Sequence, residues 1–373
     1  GPPVPDAGED PVAGRVDEVV LSALVDDFRT YRNRRPQPDA AAGSRSDRAT
    51  EALLSRFSGA RLRRDAVRAT EGRENPARRE QRRREARETG APLRVGSVLK
   101  GRFALDAELG SGGMGVVYKA VDLRRLEAGH AEPYVAIKVL SSEFARDFRA
   151  FQVLEAEARK AQMLAHPNIV NIHDFDRDGA HAFVVMELLA GKDLAAALAE
   201  RGKLPFELAA RIFRGVFDAL AYAHARNVVH SDVKPGNIFM VDGGHVKVLD
   251  FGISVATGLT GFDVTELGSF TGAYASPDVL RGRPQTPRDD VFALGVTIYQ
   301  TLAGQHPFSG RNALDAIDLG LRPARIPDVP PSALAALRTA LEFERERRFE
   351  TIEAFRAAFE RRGMFARLFG RSE

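Results

Sequence analysis

His230-Ser231-Asp232-Val233-Lys234-Pro235-Gly236-Asn237 (HSDVKPGN) is followed, thirteen residues after its asparagine, by Asp250-Phe251-Gly252 (DFG). A carboxylate beside an attacking hydroxyl orients it and accepts its proton, and Asp232 suits that task. Lys234 can neutralise charge building on a transferred group. Asn237, five residues after Asp232, and Asp250 offer oxygen ligands of the kind that Mg2+, a hard cation, takes; Mn2+ would accept the same donors. One of these strings alone is a weak signal. Together with the two motifs upstream, in this order and at this spacing, they imply transfer of the ATP γ-phosphoryl group to a hydroxyl.

Working upstream, GSGGMGVV spans Gly110–Val117, with Gly110, Gly112 and Gly115 in a G-x-G-x-x-G pattern. Backbone N–H donors must come close to a polyphosphate, and side chains at those glycines would block the approach. A dinucleotide-binding fold uses the same string before a helix. Here VVYKAV follows, a β-type run, which argues against that alternative. VAIK at Val135–Lys138 comes next, twenty-three residues separating Lys138 from Gly115. A lysine on a buried strand is costly unless paired. Its natural partners are nucleotide phosphates and a carboxylate, for which Glu157 and Glu155 on the following helical stretch are the candidates.

Composition divides the chain. Its 373 residues are 44% hydrophobic, enough for a sizeable core and about two domains. Residues 1–95 hold 20 Arg, no Lys and 16 acidic residues, with Phe28 and Phe57 alone of the 23 Phe, so this front part is about +4 and the remainder about −1. No Cys occurs, which excludes disulfides and thiolate chemistry and fits a reducing compartment; the cytoplasm is the expected location. No apolar run reaches a membrane span, and no signal-peptide pattern opens the chain. ARREQRRREARE lies within Arg73–Arg87 and its flank; interspersed acids and the lack of alternating aromatics argue against nucleic-acid binding and for a solvated charged helix or tether.

Residues 1–14 read as disordered, and apolar spacing predicts helices near 15–32 and 47–69. From Val95, β-type runs (Phe103–Leu109, Val116–Val121, Tyr134–Val139) precede a helix over Phe148–Leu164 and further runs at Ile169–Phe175 and Phe183–Leu189. Beyond Gly191 the pattern is mostly helical: Asp193–Arg201, Glu207–Arg226, Asp289–Ala303, Leu334–Glu342 and Thr351–Arg361, interrupted by β runs at Ile238–Val241 and Val246–Leu249. Strands first and helices afterwards predict two lobes of different class with a cleft between them.

On these motifs the chain resembles the eukaryotic-like (Hanks-type) bacterial serine/threonine protein kinases over about 100–361. The resemblance implies an α+β, bilobal protein-kinase fold. Its small β-rich N-lobe would span 96–188 and its helical C-lobe 189–362, with an Arg-rich extension over 1–95 and a basic tail over 363–373. It implies ATP and Mg2+ as cofactors, protein substrates as partners, and self-association for trans-autophosphorylation. The HPNIV segment at His166–Val170 favours Glu157 over Glu155 as the partner of Lys138. Matching further assigns Leu109, Gly110, Ser111, Gly112, Gly113, Met114, Gly115 and Val117 to the loop over ATP. Met186 takes the gatekeeper position, Glu187 and Leu189 offer backbone hydrogen bonds to adenine, and Val117, Ala136 and Phe239 sandwich the ring. Lys234, two residues after Asp232, marks the serine/threonine type. Asp290 is expected to brace the catalytic loop, and Arg348 to pair with Asp278.

Departures qualify that pattern. Ser231 replaces the Arg that usually precedes the catalytic Asp and that in relatives reaches an activation-loop phosphothreonine, so phosphorylation is expected to gate this chain less directly. Phe270 replaces a common Gly before Thr271, and Asp278 for Glu shortens an ion pair by one methylene, which is expected to loosen that loop. The segment 253–273 carries Thr265 and Thr271 as the expected phosphosites. Many bacterial relatives continue into a linker and membrane span, of which this chain contains none. A pseudokinase scaffold would lose at least one of Lys138, Asp232, Asn237 and Asp250; all are present. A small-molecule phosphotransferase would lack the long loop closed by ASPD at Ala275–Asp278.

Overall fold

The computed structural model describes residues 93–112, 115–141, 148–251 and 272–361, without the side chains of residues 148–151, 153, 154 and 157. The helices expected near 15–32 and 47–69, and the basic tail, lie outside the described residues. The chain forms two compact units, one of Gly1–Ser142 with Asp176–Phe183, the other of Glu143–Phe175 with Val184–Glu373.

The first unit is built on strands. β1 (Val98–Leu99), β2 (Phe103–Gly112), β3 (Gly115–Asp122) and β4 (Tyr134–Leu140) pair antiparallel in sequence order. The outer ends of β5 (Ile172–Asp178) and β6 (His181–Met186) complete a six-stranded sheet in the order β1-β2-β3-β4-β6-β5. β-branched and aromatic residues fill eight of the fifteen positions of β3 and β4, as a pleated buried surface favours. Val135–Leu140 is buried on both faces. Register shifts between Leu105 and Ala107, and between Glu108 and Gly110, bend β2 as it nears the glycine turn. The short helix α1 (Leu123–Glu127) was not evident in the sequence. It starts because Asp122 caps the Arg124 N–H at 3.1 Å while holding the Arg102 guanidinium at 2.7 and 3.0 Å.

The second unit is helical. After α2 (Phe148–Gln162) come β7 (Gly191–Asp193), α3 (Leu194–Arg201) and α4 (Phe206–His224). β8 (Ile238–Val241) and β9 (His245–Val248) then join β7 in a three-stranded sheet. α5 (Pro277–Leu280), α6 (Pro287–Ala303), α7 (Ala313–Asp318), α8 (Pro331–Ala340) and α9 (Ile352–Phe359) follow. α4 buries Ala209, Ile212, Phe213, Val216, Phe217, Leu220 and Ala223, a stripe at three- and four-residue spacing. α6 is instead buried all round, from Asp289 to Tyr299, which makes it the central pillar. It is fixed at both ends: a Thr286/Asp289 capping box with Pro287 in the first turn, and Gly304 at φ +74° after its last turn. Phe217, Phe355 and Phe359 interlock beside it, with Phe217 and Phe355 edge to face at 5.3 Å.

Two strands differ from the sequence expectation. The run expected at Ile169–Phe175 becomes a strand only from Ile172, because Asn168–Val170 instead bridges Val248, with N–H···O bonds of 2.8 and 3.0 Å. The run expected at Phe183–Leu189 ends at Met186, where the Glu187 N–H turns to the Asn171 carbonyl at 3.0 Å.

Candidate active site

In the second unit, HSDVKPGN forms a loop between α4 and β8 held down by α6. His230 is fully buried. Its Nδ1 accepts the Asp232 N–H at 3.2 Å, so Nε2 carries the proton and donates to the Leu249 carbonyl at 2.8 Å. Its ring packs on Phe251 of DFG, centroids 4.5 Å apart. Asp290 on α6 accepts the His230 N–H (2.8 Å) and the Ser231 N–H (2.9 Å), and meets His224 Nε2 at 2.7 Å. This is the brace expected of Asp290. Burial alone would raise its carboxyl; the hydrogen bond and charge of His224, with the His230 N–H, outweigh that and hold it below the usual carboxylate range.

Ser231 sits at φ +73°, a left-handed conformation that costs a non-glycine residue free energy. Besides the bond from its N–H to Asp290, its hydroxyl donates to Gln285 Oε1. Asp232 follows, 4% exposed. Its Oδ2 takes the Lys234 ammonium at 2.7 Å and the Asn237 amide N–H at 3.0 Å, and its main-chain carbonyl takes a second Asn237 bond at 2.8 Å. Among the described residues Oδ1 of Asp232 accepts nothing, which is the atom a general base needs. Asn237 spends its Nδ2 on Asp232, so its carbonyl oxygen is the one left to face a cation. Asp250 follows Leu249, whose N–H is held by the main-chain carbonyl of Asn237 at 2.9 Å and whose own carbonyl is held by His230. Asp250 itself has φ +59°. Asn237 and Asp250 are therefore neighbours on one hydrogen-bonded frame, and both donors are hard oxygens that fit Mg2+.

Nearby, Arg348 Nη2 pairs with Asp278 at 3.1 Å, as expected, and Nη1 meets Asp289 at 3.3 Å. The shorter acid is not loosely held: Arg283 reaches its other oxygen at 2.8 Å, and Arg345 lies 3.5 Å from the first. Met186 closes β6, 9% exposed. Phe239 lies on β8, directly between Asp193 and Lys247 in register. Leu189 follows in a non-regular segment, partly buried. Glu157 lies on α2 with its side chain outside the described residues, as do Thr265 and Thr271 entirely.

In the first unit, β2 and β3 meet at Gly112 and Gly115, so the glycine pattern turns between two strands and does not open a helix. That geometry removes the dinucleotide-fold alternative. Gly113 and Met114 are outside the described residues. Gly115 must be glycine: at φ +136° an added Cβ would lie 1.9 Å from the Val139 carbonyl oxygen. Gly110 and Gly112 differ, since a Cβ there would meet nothing within 4 Å. Their lack of side chains keeps space open, as close approach of a ligand requires. Leu109 is 52% exposed and Ser111 exposed beside them. Val117 pairs with Lys138 across β3 and β4, and Ala136 lies two residues before Lys138, so the three share one sheet face. Lys138 is 6% exposed.

Sequence reasoning missed Gln285, His224, Arg345 and Asp289. Each acts through a partner far away in sequence, 54 residues in the case of Gln285 and Ser231, and spacing carries no such signal.

The protein kinase domain family matches residues 103–357. The serine/threonine-protein kinase PknA of Mycobacterium tuberculosis is 37% identical over 256 residues, 66% of this chain and 58% of that protein. PknL of the same organism is 36% identical over 252 residues, 65% of this chain and 62% of the relative. The crystal structure of the Mycobacterium tuberculosis PknI kinase domain superposes with a TM-score of 0.58 at 25% identity, covering 72% of this chain and 98% of that one. The chain spans about three fifths of the length of the curated relatives it matches.

Proposed function

The chain belongs to the protein kinase domain family, and from that premise we propose that it transfers the γ-phosphoryl group of ATP to serine or threonine hydroxyls of protein substrates, itself included. The observation that supports this most is the Asp232 carboxylate: one oxygen is fixed by Lys234 and Asn237, and the other accepts nothing among the described residues. A hydroxyl presented to that oxygen is oriented and relieved of its proton as the phosphoryl group arrives. Lys234, already beside Asp232, offsets negative charge on the group in transit. Asn237 and Asp250 would hold Mg2+, which would supply neutralisation of phosphate charge. Lys138, Glu157 and the loop Leu109–Val117 are assigned the phosphate-anchoring roles of the family pattern. Met186, Glu187, Leu189, Ala136, Val117 and Phe239 are assigned to the adenine.

A scaffold without catalysis is disfavoured because Lys138, Asp232, Asn237 and Asp250 are all retained. Thr265 and Thr271 are proposed as self-phosphorylation sites, and the cytoplasm as the place of action. No helix among the described residues is long and apolar enough to cross a membrane. The test is phosphate transfer to the chain itself and to a generic basic protein, wild type beside Asp232→Asn. Removal of the base is expected to lower turnover by about 10²–10⁴-fold with an unchanged circular-dichroism spectrum. Equal transfer by the two proteins would overturn the assignment.

A further inference from the structure

The segment His166–Val170 has no part in phosphotransfer as set out above, yet in the second unit it is tied closely to β9. The Asn168 carbonyl accepts the Val248 N–H at 2.8 Å, and the Val170 N–H donates to the Val248 carbonyl at 3.0 Å, a parallel bridge. Asn168 Nδ2 donates to the Val246 carbonyl at 2.8 Å. From Val248 the chain passes through Leu249 into Asp250, the residue assigned to metal. Two features leave the segment little slack. α4 lies so close that a Cβ added at Gly215 would sit 2.7 Å from Asn168 Nδ2, so the amide has one seat. At the start of the segment, half-buried His166 closes the turn: its carbonyl accepts the Ile169 N–H at 3.0 Å, and its Nδ1 accepts the Asn168 N–H at 3.1 Å.

An imidazole nitrogen that accepts carries no proton, whereas imidazolium has two N–H donors and no acceptor. A proton on Nδ1 therefore removes the bond to Asn168 and sets N–H against N–H. The surroundings favour the neutral ring. It packs on Tyr222 of α4, centroids 4.9 Å apart, and the Arg226 guanidinium lies over the same tyrosine at 3.6 Å. Burial is the largest influence on the ring and lowers its pKa; Asp218 on α4 opposes this, while Lys247 on β9 and Arg226 beyond α4 add to the lowering. Asp218, the one acid of these three, is already paired with Arg356 of α9 at 2.5 Å, which makes it a poor counter-ion for a new cation.

We propose that His166 is a proton-sensitive latch: protonated below neutral pH, it releases Asn168–Val170 from β9, loosens the strand that leads into Asp250 and so weakens the hold on ATP. The consequence for ATP rests on the phosphotransfer function proposed above; the latch itself does not.

The experiment measures amide hydrogen exchange at Val170 and Val248 in the full chain without added ligand, at about pH 7.5 and about pH 5.5, on either side of the free imidazole value near 6.5. A ring that stays neutral while seated and takes up a proton once released favours release by up to about tenfold one pH unit below that value. Wild-type protection factors at both amides, corrected for the intrinsic exchange rate, are expected to fall by about that factor. His166→Asn keeps an acceptor oxygen for the N–H two residues on and does not titrate in this range, so its protection is expected to be equal at both pH values. Gly215→Ala crowds Asn168 from its seat, and at the higher pH it is expected to show the low protection that wild type shows at the lower one. It decides the matter should His166→Asn not fold. Wild-type protection indifferent to pH, the same fall in His166→Asn, or full protection in Gly215→Ala overturns the latch. ATP KM for phosphotransfer is expected to rise more steeply on acidification in wild type than in His166→Asn; an equal rise in the two overturns the link to Asp250. Absence of phosphotransfer by the wild-type chain would instead defeat the underlying function and leave the exchange result standing.

Discussion

Ser231 shows how much a single residue can depend on partners remote in sequence. Its left-handed backbone is unfavourable for a side chain with a Cβ, yet it directs Asp232 into the site. The bonds to Asp290 and Gln285 offset that strain. Gln285→Leu is therefore expected to lower kcat about tenfold, again the loss of one hydrogen bond, with ATP KM unchanged. Adding Ser231→Gly should restore much of the rate, because glycine takes φ > 0 without strain. A double variant no faster than Gln285→Leu would show that strain is not what the pair relieves. Asp290 gives a second prediction, through pH. Its carboxyl is depressed in the fold, so its stabilisation is complete above the ordinary carboxylate value, about 3.9, and is lost as pH falls through the lower folded value. Asp290→Asn should cost about 2 kcal/mol at neutral pH and flatten the acid limb of a urea-denaturation series taken below pH 4. An acid limb as steep as wild type would remove Asp290 as its cause. The sequence showed Asp232, Lys234, Asn237 and Asp250 because local spacing defines their roles. It hid Gln285, since only the fold brings it to its partner.

At the scale of elements, the strands and helices that bury a regular stripe were legible. β8 begins and ends where alternation places it, at Ile238 and Val241. The short elements were not: α1, α5 and α7 are five, four and six residues long, too brief for a period to register, and exist through their caps at Asp122, Ser276 and Asn312. The join between α5 and α6 carries the most concentrated charge in the described core. Arg348 is wholly buried among Asp278, Asp289 and the carbonyls of Glu342 and Phe343. Burial pushes its guanidinium pKa down, and Asp289 and Asp278 oppose that push. Removing the cation takes from Asp278 and Asp289 their most buried partner and leaves them to Arg345, with Arg283 on Asp278 alone. Arg348→Met is accordingly expected to cost about 3–5 kcal/mol in unfolding free energy, read from the urea midpoint. A loss below about 1 kcal/mol, the worth of an exposed pair, would mean that Arg345 and Arg283, which already pair with the acids, suffice to hold them.

For the molecule as a whole, two units divide the work by chemistry. The strand-built one offers a glycine turn and a buried lysine; the helical one offers a carboxylate, an ammonium and two hard oxygens on a frame hung from α6. The class of each unit was readable from the change in periodicity near Gly191. The grouping of α2 with the helical unit was not, because a helix pattern does not say what it packs on. The most direct test is to incubate the full chain with Mg2+ and γ-labelled ATP and a peptide containing Ser, Thr and Tyr, then identify the labelled residue. Label on Ser or Thr, at least a hundredfold weaker with Asp232→Asn at the lower bound for a lost general base, is the predicted result. Label on no hydroxyl, or undiminished label from the variant, would contradict it.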